Sequence, residues 1–191
     1  MSKMSSVRRS TICALCIALC IVLPVAFHAL GVGAVFLPMH IPVFLCALTC
    51  GWGYGMFCGV AGAALSSLLT GMPTITGLPA MAAELAIYGL ITGLLIQVIH
   101  TKNVYADLYI SVVAAMILGR VAAGAINALI FARGVTYSLA MWASAYLFTS
   151  WPGTVLILIS VPALIAALMR AGLIPERYPK QEAKPCSIKT M

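Results

Sequence analysis

From Ser10 to Thr101 the chain carries one charged side chain, Glu84. So long a stretch cannot supply the polar skin that a water-soluble domain needs. Soluble domains carry about 25% charged residues. This chain has 8% charged and 63% hydrophobic residues over 191 positions, with a mean hydropathy of +1.09. A core of this size cannot hide that apolar surface from water. A bilayer does not require it to be hidden, so the sequence predicts an all-α, polytopic membrane protein.

The formal net charge of +7 does not point to nucleic acid. Lys3, Arg8 and Arg9 stand at the start, Lys102 near the middle, and Arg170, Arg177, Lys180, Lys184 and Lys189 at the end. These positions flank apolar runs, as in the cytoplasmic loops of membrane proteins. Residues 7 to 31 have the basic start and apolar middle of a signal peptide. However, the apolar part is as long as a span and no A-x-A site follows it, so it reads as a first transmembrane helix.

Six helices are predicted: about Thr11 to Leu30, Ile41 to Cys50, Tyr54 to Leu69, Ala80 to Ile99, Leu108 to Ala132, and Trp151 to Met169. The second is short for a crossing. The preceding FLPMHIPV segment is expected to complete it, with Pro38 and Pro42 breaking regular helix there. Irregular backbone at membrane depth is tolerated only when buried in protein or lining a wet cavity. Residues 1–10 form a basic flank, 11–170 the membrane domain, and 171–191 a basic tail. Six spans put both termini on one side, and the positive-inside rule puts that side in the cytoplasm. The connections at 31–40, 70–79 and 133–149 then face outward.

Small residues recur at four-residue spacing. Ala14 and Ala18 share a face of helix 1, and Gly51, Gly55 and Gly59 lead into helix 3. Such spacing lets helices approach closely. No GK[ST] follows the glycines, so GWGYG is not a phosphate loop. Cys13, Cys16, Cys20, Cys46, Cys50 and Cys58 lie inside apolar runs. They lack the polar-loop context of zinc knuckles and the setting of a disulfide framework, and read as small apolar residues, with no metal site expected.

Glu84 and Arg120 are the intramembrane charges that stand out. A charge at helix centre costs roughly 2.5 to 3.5 kcal/mol on insertion scales, so such residues pair or face a cavity. Glu84 and Arg120 could tie helices 4 and 5 as an ion pair. Alternatively, Arg120 could meet an anionic or polar ligand arriving from outside. Asn127 lies two turns beyond Arg120 on the same face, with Gly124 between them. With His40, Trp142 and Trp151 these residues could line one outward cavity, although the tryptophans also suit an interfacial belt. No nucleophile, base and orienter assemble, so no enzyme is expected.

The ordered set ALCIA, LPMHIPVFLCALTCGWGYG, GMPTITGLPAMAAELAIYGLITGLL, LGRVAAGAINAL and FTSWPGTVLILISVPALI resembles the substrate-binding S components of energy-coupling factor (ECF) vitamin transporters, over residues 11 to about 170. The resemblance implies a six-helix bundle in a bacterial cell membrane that binds one micronutrient from outside. It implies docking on a transmembrane coupling protein, the T component, driven by two ATPase subunits. In that family an A-x-x-x-A face on helix 1 meets the coupling protein, and Ala14 and Ala18 occupy it here. Members are thought to topple within the membrane to deliver substrate. No cofactor is expected on this chain, and ATP belongs to the partner subunits. The start Met1-Ser2-Lys3 lacks the histidine of cobalt and nickel binders. Signatures for riboflavin, thiamine or biotin are not apparent. A carboxylate-bearing nutrient such as pantothenate or a folate would suit Arg120, while cobalamin or a queuosine precursor stays open. By position, the resemblance implies substrate contacts at His40, Glu84, Arg120, Asn127 and Trp142. An intramembrane enzyme and a self-contained carrier or channel are the alternatives.

Overall fold

The computed structural model describes residues 5–29, 31, 38–131, 144 and 150–172. Its regular elements are six helices: α1 Ser6–Ala29, α2 His40–Cys50, α3 Trp52–Thr70, α4 Leu78–Val98, α5 Val104–Phe131 and α6 Trp151–Arg170. No strand occurs among the described residues. Among the described residues five helices are long and apolar enough to cross a membrane. The sixth, α2, has 11 residues. At 1.5 Å per residue it rises about 16 Å, about half of a hydrocarbon core. The expectation of six spans is therefore met by five, plus one short apolar helix. The expected completion through Phe36 and Leu37 lies outside the described residues, as do Trp142, most of the 133–149 connection and the tail beyond 172.

Pro42 was expected to break helix, and it does not. It is the third residue of α2, inside the first turn, where amide hydrogens have no intrahelical acceptor to lose. Pro38 and Met39 form the turn before it. α1 begins earlier than its apolar run because Ser5 Oγ accepts a hydrogen bond from the Arg8 amide at 3.4 Å, a serine cap that starts the helix among the basic residues.

α2 and α3 are joined by Gly51 alone, at φ +100°, a conformation that a side chain rarely adopts. α3 ends at Gly71, φ +73°, whose amide bonds to the Ser67 carbonyl, a left-handed C-cap. Ser66 and Ser67 then donate to the carbonyls of Met72 and Pro73 at 2.8 and 2.7 Å. The α4–α5 connection is tied by Asp107, whose Oδ1 accepts from the Thr101 amide at 2.9 Å and from its hydroxyl at 2.6 Å.

α3 and α4 pack backbone to backbone. A Cβ added at Gly55 would lie 2.6 Å from the Ala47 Cβ and 2.9 Å from the Gly89 oxygen. One at Gly59 would lie 2.6 Å from the Leu85 carbonyl carbon. Gly89 and Gly93 return the fit from α4, where an added Cβ would meet the backbone of Gly55–Met56 and Gly51–Trp52. Two stripes at four-residue spacing thus interlock, the arrangement by which membrane helices gain dispersion contacts without a hydrophobic drive. Outer surfaces of the bundle are equally apolar: Leu68 and Leu69 of α3 and Ile117 and Val121 of α5 are exposed, as lipid-facing residues should be.

Candidate functional site: a buried polar centre between α2, α4 and α5

The first turn of α2 brings His40 into the bundle, where it is 1% exposed. Glu84, in the second turn of α4, is 5% exposed and faces it. His40 Nε2 lies 3.9 Å from Glu84 Oε1. Tyr88, one turn further along α4 and fully buried, donates its hydroxyl to the same Oε1 at 2.5 Å. Its ring stacks on Phe44 at 5.2 Å between centroids and tilts against His40 at 5.3 Å. The carboxylate therefore sits in an aromatic box with one strong hydrogen bond. His40 Nδ1 is buried and has no hydrogen-bond partner among the described residues. A buried polar atom left so is costly, on the order of 1–3 kcal/mol.

α5 comes close beside this centre because residue 119 is glycine. A Cβ there would overlap the Tyr88 ring. The next residue is Arg120, which acts electrostatically on Tyr88. Its Nη2 donates to Thr154 Oγ1 of α6 at 2.6 Å, and that hydroxyl donates in turn to the Ser150 carbonyl at 2.9 Å. Among the described contacts the two intramembrane charges are linked through Tyr88, with no direct Glu84–Arg120 pair. Arg120 and Thr154 also form the polar floor of a cavity of about 210 Å³ between α5 and α6, walled by Met116, Ile117 and Leu158. Ile117 and Val121, at its rim, are exposed, so it opens on the apolar flank of the bundle.

The sequence-derived set is thus partly brought together. His40 and Glu84 meet directly, and Arg120 joins them through Tyr88. Asn127 is half-buried, two turns along α5 from Arg120, and is engaged in a contact of its own. Trp142 lies outside the described residues. Ala14 and Ala18 are exposed on α1. Two contributors went unnoticed in the sequence. Tyr88 stands four residues after Glu84, the spacing at which helical side chains meet, and could have been found. Thr154 is 34 residues from Arg120 and nothing local marks it.

Nothing in the centre resembles a catalytic constellation. Among the described residues it has one carboxylate, one imidazole and one phenol, with no hydroxyl or thiol nucleophile hydrogen-bonded to the histidine. The family model of ECF transporter substrate-specific components matches residues 8–174, from the first turn of α1 to just past α6. That family is a transporter binding component and not a family of enzymes. Neither a curated protein nor a solved structure matches the chain with significance. With five long apolar helices and a match over most of its length, the chain is a multi-pass membrane protein and belongs to the substrate-specific components of ECF transporters.

Proposed function

We propose that this chain captures a small, carboxylate-bearing nutrient from outside the cell and delivers it inward when docked on a coupling protein with two ATPases. The observation that carries the nutrient reading is Arg120, an intramembrane cation at a cavity floor whose guanidinium donates to Thr154. The planar fork of a guanidinium suits a carboxylate. The cavity's 210 Å³ is below the roughly 300–1,000 Å³ of ligand pockets, enough for one end of a nutrient. The Glu84–Tyr88–His40 centre adds a carboxyl group, a phenol and a buried imidazole as polar groups inside the bundle. Pantothenate and folates carry a carboxylate of this kind.

The docking face is proposed to be the exposed stripe of α1 that includes Ala14 and Ala18. Leu15, Val22 and Val25 extend the same exposed surface at 63%, 59% and 50%. Small residues among apolar ones let a partner helix approach closely. Both termini are proposed to be cytoplasmic.

A double variant, Arg120→Met with Glu84→Met, tests the ligand role without stranding a lone buried charge. The double variant should fold and lose binding in a titration with a panel of vitamins. A folded double variant that binds as tightly as the wild type would reduce both charges to a structural role.

A further inference from the structure

Six cysteines from three helices converge inside the bundle. Cys13, Cys16 and Cys20 come from α1, Cys46 and Cys50 from α2, and Cys58 from α3; all six are buried free thiols. The sulfurs of Cys13, Cys46 and Cys58 all lie within 4.8 Å of one another. Cys13 and Cys46 aim at one acceptor, the Tyr54 carbonyl, at 3.8 and 3.5 Å. Cys50 donates to the Arg9 carbonyl and Cys20 to the Met39 carbonyl, each at 3.6 Å. As filler alone, alanine or valine would serve without six thiol hydrogens to place.

We propose that Cys13, Cys46 and Cys58 form a buried site for a soft, thiophilic metal ion, with copper(I) as its ligand. Metal–sulfur bonds of about 2.3 Å in a trigonal site put the sulfurs about 4 Å apart. Each sulfur need then move by less than about 1 Å. The donor set decides the metal. Sulfur alone excludes magnesium and calcium, which take oxygen, and selects copper(I) or zinc. Zinc closes structural sites with four ligands, whereas three sulfurs within mutual reach suit the lower coordination numbers of copper(I). Each sulfur that becomes a thiolate releases its proton. Two thiolates with the third thiol still protonated leave a net charge of −1 around the ion. Arg9 stands at that end of the bundle. It acts electrostatically on Cys50, and its Nε is buried without a hydrogen-bond partner among the described residues. The site ties α1 to α2 and α3, and it is separate from the His40–Glu84 centre in both residues and chemistry.

The test uses the full chain, purified anaerobically in dodecyl maltoside and titrated with copper(I) against bicinchoninate. One copper(I) per chain should be withdrawn from the chelator, and copper X-ray absorption should show sulfur as the sole ligand type. Cys13→Ser, Cys46→Ser and Cys58→Ser should each weaken binding by at least roughly 10–100-fold. Cys186→Ser, in the tail, should leave it unchanged. Nitrogen or oxygen ligation in the wild-type spectrum would overturn the site without reference to any variant. So would a chain that takes no copper from the chelator, or a folded triple serine variant that takes as much as the wild type.

Discussion

Gly89→Ala probes the interlock of α3 and α4 with a single methyl group. The added Cβ would stand 2.6 Å from the Met56 nitrogen and closer still to the Gly55 carbonyl, where optimal non-bonded separations are about 3.5–4.0 Å. No flexible side chain can give way, because every close atom is backbone. The helices must part by about 1 Å, and a gap of that size forfeits a quarter to a half of each contact well along the stripe. Overpacking of this kind costs about 1–3 kcal/mol, against a gain of up to about 1 kcal/mol from replacing a helical glycine. A net loss of about 1 kcal/mol lowers the midpoint by about 2–4 °C on the scale of domains this long. The assay is thermal unfolding in mild detergent, beside Gly53→Ala. Gly53 lies on α3, the other helix of the pair, with nothing within 4 Å of its added Cβ, so that variant should match the wild type or exceed it slightly. A Gly89→Ala variant as stable as Gly53→Ala would refute backbone contact at this crossing.

Tyr88→Phe should cost about 1–3 kcal/mol in the same unfolding assay, because it strips the buried Glu84 carboxylate of its 2.5 Å hydrogen bond; an unchanged midpoint would mean that the carboxylate has another donor. Asp107→Ala should lower stability by about 1–2 kcal/mol through the two lost bonds from Thr101, and hydrogen exchange should rise first at the start of α5. Ala14→Trp and Ala18→Trp, on the exposed face of α1, should abolish copurification with the energising module while ligand affinity stays at the wild-type value; copurification at the wild-type level would remove the docking face.

Much of the helical layout was legible because charges and turn residues punctuate the apolar runs. Gly51, Gly71 and the Asp107 staple mark the ends where sequence placed them within a few residues. The depth of α2 was not legible, because the effect of Pro42 depends on which turn holds it. Helix faces were harder. In water an apolar stripe points to the core, but here Leu69 and Ile117 face outward while Leu85 and Val112 face inward, so polarity does not separate the two sides. The glycines of α3 were visible at their spacing. Their mates Gly89 and Gly93 acquire meaning only once α4 is known to be the partner. The same holds for the cysteines, which read singly as small apolar residues and become a cluster only when three helices meet. Within the candidate site, Glu84 and Arg120 announced themselves by charge, His40 by its apolar setting, and Thr154 not at all.

The most direct test of the account is native mass spectrometry of the chain, released from mild detergent after growth in rich medium. The account predicts a retained small molecule of defined mass carrying a carboxylate, displaced by excess of the same compound and absent from the Arg120→Met, Glu84→Met variant. A chain that arrives empty, and stays empty across a vitamin panel, would contradict capture of a nutrient at this site.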